Sequence, residues 1–184
     1  MRNGMIEDFK GNKKWYKNGK LHRDDGPAVE KANGDKYWCV NGVLHKEDAP
    51  AVIRANGDKE WWDIGLRHRV DGPAIECTDG DKYWYVNGLS HRENGPAVEK
   101  ANGICFWYVN GVLHRPDGPA ITYTDGSERW YDNGEQHRED GPAVTFANGD
   151  KYWYRHGKLH KTDVSVIERV TTSIAWYNMN VFTT

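Results

Sequence analysis

The chain has 184 residues, a formal net charge of -2, and 9 Trp and 10 Tyr set among few Leu and Ile. So many large aromatics in a nearly neutral chain exclude disorder, and burial carried by Trp and Tyr points away from a helical bundle toward a turn-rich β protein. A sequence pI near 6.4 gives no wholesale attraction to nucleic acid or anionic lipid, and no run approaches the roughly 20 apolar residues of a membrane span.

The first residues, Met1 to Asp8, contain no apolar stretch of the secretory kind. Cys39, Cys77 and Cys105 are odd in number and form no CxxC, which fits a reducing compartment. A cytoplasmic protein is expected. Residues 5–11 then read as the second half of a repeat, with Met5 in an Ala slot and Ile6 in a Val slot.

From there a 23-residue period governs the chain. Trp stands at 15, 38, 61, 84, 107, 130, 153 and 176, and His at 22, 45, 68, 91, 114, 137 and 160. Asn-Gly follows each Trp at Asn18-Gly19, Asn41-Gly42, Asn87-Gly88, Asn110-Gly111 and Asn133-Gly134, with Ile64-Gly65 and His156-Gly157 as departures. A second set of turns runs through Asn33-Gly34, Asn56-Gly57, Asp79-Gly80, Asn102-Gly103, Asp125-Gly126 and Asn148-Gly149. Between the two sets lies Asp-Gly-Pro-Ala, at 25–28, 71–74, 117–120 and 140–143, with Ala49 and Asn94 as local substitutions.

Asn-Gly between apolar residues predicts a two-residue type I′ hairpin, which needs positive φ at both centres. Such a turn at Asn41-Gly42 pairs Val40 with Val43, Cys39 with Leu44 and Trp38 with His45. The same turn at Asn33-Gly34 pairs Val29 with Trp38 and Ala28 with Cys39. On that register Val29, Trp38 and His45 share one face, and Ala28, position 39 and Leu44 the other. Proline lacks the amide that a third hairpin at Asp-Gly-Pro would need, so a bend or bulge is expected there. Two strands per repeat advance a sheet by roughly 9–10 Å, or about 75 Å over eight repeats.

The expected fold is an all-β, elongated array of antiparallel β-hairpins: a single-sheet meander of about eight 23-residue units. Residues 1–160 form the array and residues 161–184 a divergent capping repeat, in which Val166, Ile167, Trp176 and Tyr177 keep the apolar slots. That last segment reads alternatively as a dimerisation or partner segment.

A Tyr/Trp core, Asn-Gly-x-x-His and a second Asn-Gly-Asp-Lys-Tyr at this spacing, as in residues 148–160, resemble the MORN repeat family. His-Arg or His-Lys, as at His91-Arg92, replaces the usual His-Gly, and the added Gly-Pro-Ala marks a variant of the repeat. The resemblance implies an extended antiparallel meander with a grooved face, used for protein association, dimerisation and sometimes membrane apposition, and itself not catalytic.

Seven periodic histidines raise metal binding and catalysis. A zinc ion needs ligands about 2.0–2.2 Å away, whereas histidines of neighbouring repeats stand roughly 9–10 Å apart. Only His156 near His160 offers a weak pair. Each His is expected instead to stack on its cross-strand Trp with a ring nitrogen bonded to the adjoining loop, and no metal, cofactor or catalytic residue is assigned. The cation after each His and the Asp two residues beyond it read as a salt-bridge ladder, which neutralises any track for nucleic acid or lipid head groups.

The repeats disagree most informatively beside the Trp-side turns. That slot pair is charged at Lys17/Lys20, Asp132/Glu135 and Arg155/Lys158, yet apolar at Val40/Val43, Val86/Leu89 and Val109/Val112. A deviant third unit with Trp62, Asp63, Ile64, Leu66 and Arg67 interrupts the stripe. An exposed apolar stripe marks an interaction surface, and Trp and Arg are favoured anchors. The expected function is a non-catalytic scaffold, adaptor or inhibitor that binds another protein, or a second copy as a homodimer. The contact residues would be Val40, Val43, Trp62, Arg67, Val86, Leu89, Val109 and Val112. A free-standing array fits a viral or microbial accessory protein that intercepts a host factor. The rival reading is a small anionic ligand or nucleotide gripped by the Trp, His and Arg groove.

Overall fold

The computed structural model describes residues 2–162, and every regular element among them is a β-strand. The expected cap at 161–184 lies almost wholly outside the described residues. The chain divides into two compact units, Met1–Val112 and Leu113–Thr184.

The first unit carries an antiparallel meander. Gly4–Glu7 pairs with Lys13–Lys17, then follow Val29–Glu30, Lys36–Tyr37, Val52–Ile53, Lys59–Glu60, Ile75–Glu76, Lys82–Tyr83, Val98–Glu99 and Cys105–Phe106. The second unit repeats the scheme with Ile121–Thr122, Glu128–Arg129, Val144–Thr145, Lys151–Arg155 and Lys158–Thr162. The all-β hairpin array read from the period is therefore the fold.

The strands of this meander are mostly only two residues long, because the chain changes partner at each Trp. The Trp38 N–H donates to the Ala51 carbonyl of the next repeat at 2.8 Å, while its own carbonyl accepts from the His45 N–H at 3.2 Å. Beyond that pivot Cys39–Val40 pairs with Val43–Leu44 in a small ladder of its own. The equivalent ladders at Trp62–Asp63 with Leu66–Arg67, and at Tyr85–Val86 with Leu89–Ser90, repeat it. Their turns are of the expected type: φ is 51° at Asn41 and 92° at Gly42, 50° at Asn87 and 80° at Gly88. The ladders are joined edge to edge, since the turn glycine of each donates to the preceding one: Gly42 to Leu21, Gly65 to Leu44, Gly88 to Arg67 and Gly111 to Ser90, each at 2.8 Å.

At the other turn the register differs from the expectation by one residue. The Lys31 N–H donates to Asp35 at 2.8 Å and the Gly34 N–H to Lys31 at 2.9 Å, with Gly34 at φ 98°. This is a three-residue loop closed by a left-handed glycine, the G1-bulge hairpin. Val29 consequently faces Tyr37, not Trp38. A one-residue slip moves every side chain to the opposite face. The true rows are Ala with Trp on one face and Val with Tyr on the other. Ala28, Ala51, Ala74 and Ala97 are 0% exposed, and their carbonyls accept the Trp15, Trp38, Trp61 and Trp84 N–H groups.

The turn also explains a slot that composition alone does not. The Ala55 N–H of the next repeat donates to the Asp35 carboxylate at 2.8 Å, as do Thr78 to Asp58 at 2.7 Å and Ala101 to Asp81 at 2.7 Å. These amides hold the carboxyls of Asp35 and Asp58 below their ordinary value; at Asp81 the Lys100 ammonium is the larger cause and the amide the second.

Candidate functional site

Three repeated devices and one irregular unit account for nearly all the residues that chemistry could use. The first sits at Asp-Gly-Pro, which forms neither a hairpin nor a continuing strand. The arm ends at Leu44, and residues 45–50 loop over to Ala51. In the fourth repeat the guanidinium of Arg92 lies 3.9 Å from the Trp84 ring centroid. It donates to the Pro96 carbonyl at 3.1 Å and to Glu99 at 2.6 Å. A Cβ on Gly95 would come within 2.9 Å of its Cζ. The cation is thus clamped between an indole face and a bare glycine. Arg69 repeats the arrangement on Trp61 at 3.9 Å, Arg23 on Trp15 at 4.1 Å and Arg138 on Trp130 at 3.9 Å. Two expectations change accordingly. The residue on the indole is the cation, not the His, and the Arg–Asp ladder is secondary, surviving at Arg23–Asp25 and, longer, at Arg69–Asp71.

The histidines instead tie neighbouring turns together. Nδ1 of His91 accepts the Asn110 N–H at 3.1 Å, and His22, His68, His114 and His137 do the same for residues 41, 87, 133 and 156 at 3.1–3.2 Å. In His91 and His22 that geometry matches a bare Nδ1 with the proton on Nε2, which in His22 meets Asp24 at 2.7 Å, whereas Nδ1 of His68 and of His114 also lies 3.0 Å from Asn87 Oδ1 and Asp132 Oδ1. His91→Ala is expected to cost about 1 kcal/mol in urea unfolding, and His91→Asn, whose amide oxygen reaches the same place, less than half of that. Equal losses would show that the imidazole acts by packing alone. Among the described residues no cluster of three metal-ligating side chains occurs, and the ring of His156 lies 4.4 Å from that of His137.

The third unit is built around a buried carboxylate. Glu60 takes the slot filled by Tyr37 and Tyr83 elsewhere and is 5% exposed. It accepts from Arg54 Nη2 at 2.6 Å and Nε at 3.1 Å, from Trp62 Nε1 at 3.1 Å and from Arg67 at 3.3 Å. Trp62 and Arg67, expected as partner anchors, are therefore half-buried ligands of Glu60, and the Arg67 cation also lies over the Trp62 ring. The sequence signal was present: Glu60, Trp62 and Arg67 depart from the repeat together.

The apolar stripe is real at the hairpin tips and incomplete along the arms. Val40, Val43, Leu66, Leu89 and Val112 are exposed, while Val86 and Val109 are half-buried. Each tip side chain leans on the next turn: a Cβ on Gly65 would lie 3.7 Å from Val43, on Gly88 3.3 Å from Leu66, and on Gly111 3.4 Å from Leu89. The result is an apolar rail along the first unit, and it includes two exposed residues, Ile64 and Leu66, that the sequence reading took to interrupt the stripe and left out of the contact set. Clefts of about 590 and 680 Å³ also open between successive loops, the first between those of Lys46 and Arg69 and lined by Trp61, Asp71 and His68, the second between those of Arg69 and Arg92 and lined by Trp84, His91 and Asn94. The Arg69 and Arg92 heads beside them are committed to proline carbonyls and to Glu76 and Glu99.

No helix among the described residues is long and apolar enough to cross a membrane. No protein-family model and no curated protein matches the chain, so the likeness to MORN repeats stands on the residue pattern alone.

Proposed function

We propose that the chain is a non-catalytic repeat scaffold that binds another protein along the rail of hairpin tips formed by Val43, Ile64, Leu66, Leu89 and Val112. The observation that carries this reading is Ile64. It occupies the first centre of a type I′ turn at φ 43° and is 72% exposed. A β-branched side chain in the left-handed region costs about 1–2 kcal/mol. The equivalent Asn18, Asn41, Asn87, Asn110 and Asn133 avoid most of that cost. So exposed a side chain gains little from the chain's own packing, and strain without internal compensation is characteristic of functional positions. Its neighbours on the rail are apolar and exposed as well, as an interface core requires.

The arginines that a groove for a small anion would use are already held by proline carbonyls and by Glu76 and Glu99, whose charge opposes an anion, which favours the rail over the ligand reading. The test pairs stability with contact. Ile64→Asn should raise unfolding stability by about 1 kcal/mol and reduce crosslinking to a partner from a photoreactive residue placed at Leu89. The same crosslinker at Lys82, on the sheet, serves as the control. Equal crosslinking from both positions, or crosslinking unchanged by Ile64→Asn, would overturn the proposal.

A further inference from the structure

On the Val/Tyr face of the repeats, cations are matched by acceptors. Arg54 meets Glu60 and the Tyr37 hydroxyl, Lys100 meets Asp81 and the Tyr83 hydroxyl, and Lys31 lies 3.8 Å from Asp35. The second unit breaks the pattern. Arg129 stands in the slot of Tyr37 and Tyr83, directly between Ile121 and Val144 on the flanking strands, both nearly buried. The position that supplies Asp35 and Asp81 is here Ser127, whose hydroxyl already accepts from the Ala147 N–H. The Arg129 guanidinium lies 5.5 Å from the Tyr123 ring centroid and 5.8 Å from that of Phe146. Its Nε is buried and has no acceptor among the described residues, and none of their ion pairs includes it. Phe146, itself edge-on to Tyr152 at 5.8 Å, is 37% exposed.

We infer that Arg129, between Tyr123 and Phe146, is a receptor for a carboxylate side chain presented by an acidic peptide segment of a partner protein. A guanidinium whose stem is flanked by Ile121 and Val144 is preorganised, and with Nε buried its two Nη groups match a carboxylate in two parallel bonds. The flanking rings exclude water from the pair and strengthen it. One guanidinium alone holds a free carboxylate only weakly. The exposed Phe146 ring adds apolar contact that a peptide with an aliphatic residue beside its Glu can use and a small ion cannot. This site lies in the second unit and on the sheet, so it does not rest on the rail of hairpin tips.

The test titrates the full chain with a blocked Gly/Ser heptapeptide bearing a central Glu-Leu, and follows the Arg129 Nε–H resonance. Its Gln-Leu counterpart and sodium acetate are run in parallel. A saturable shift of that resonance is expected with the Glu-Leu peptide, with binding at least tenfold weaker for Gln-Leu and for acetate. Arg129→Tyr restores the residue found in this slot at Tyr37, Tyr83 and Tyr152, so it should fold. It should lose binding at least tenfold, while Phe146→Ser weakens the peptide and leaves acetate unchanged. Acetate binding as tightly as the peptide would assign a free-anion site and overturn the peptide. Equal binding of the Gln-Leu peptide, or no saturable shift, would overturn the site itself.

Discussion

Gly95→Ala is expected to destabilise the chain by about 1–3 kcal/mol, and Arg92→Lys in the same molecule to recover most of the loss. Gly95 is not in the left-handed region, so the cost comes from contact and not from backbone strain. A methyl at that position would lie 2.9 Å from Cζ and 3.1 Å from both Nε and Nη1 of Arg92. An arginine head usually moves aside cheaply. Here it cannot do so without leaving the Trp84 face, the Pro96 carbonyl and Glu99 together. A lysine ends in a smaller group and clears the methyl while keeping a charge over the indole. The chain contains this solution already: the second repeat carries Lys46 with Ala49, and Lys46 Nζ lies 3.8 Å from the Trp38 ring centroid. Its loop takes a different path, with Asp48 at φ 53°, so recovery should be large without being complete. A double-mutant cycle in urea checks the coupling; additive losses would show that the clamp is not what holds glycine there.

The period and the places of the Asn-Gly turns were legible in the sequence, whereas the pairing of Lys46 with Ala49 emerges only from the clamp's geometry. Asn41-Gly42 was readable because two consecutive left-handed residues leave only the type I′ turn. Asn33-Gly34 was not, because the same dipeptide also closes a three-residue loop in which only the glycine is left-handed. Choosing between the two decides which face Tyr37 and Trp38 occupy, and nothing within the hairpin decides it. The deciding signal lay 20 residues away: an acceptor recurs at Asp35, Asp58 and Asp81 because the amides of Ala55, Thr78 and Ala101 need one. The histidines show the complementary limit. Their period announced a structural role and a ring nitrogen bonded to the adjoining loop, which the neighbouring turn supplies, but not that the following cation takes the indole face. For the expected contact residues the alternation of charged and apolar slots picked out Val40, Val43, Leu89 and Val112, which are exposed, together with Val86 and Val109, which are half-buried. It did not reveal that Trp62 and Arg67 are held by Glu60, a partner that is invisible unless the third unit's departures are read as one exchange.

Treating those departures as one exchange gives the other large expectation. Glu60→Ala should cost about 2–4 kcal/mol, since it strands Arg54, Arg67 and the Trp62 indole N–H around a vacated site. The cost falls below that of a fully enclosed pair because both guanidinium groups retain a route to water. Replacing the whole set by the second repeat's residues, Glu60→Tyr with Trp62→Cys and Arg67→Leu, should return stability to within about 1 kcal/mol of the parent. A buried ion cluster exchanged for well-packed neutral groups is commonly neutral or better. Arg54 would keep a partner there, since it already donates to the Tyr37 hydroxyl at 2.8 Å. If the triple variant were as unstable as Glu60→Ala, the cluster would be essential to the third unit's packing and not a local substitution for it. The same variant separates stability from binding. Its rail, Ile64, Leu66 and Leu89, is untouched, so crosslinking from position 89 should persist; its loss would place Trp62 or Arg67 in the interface.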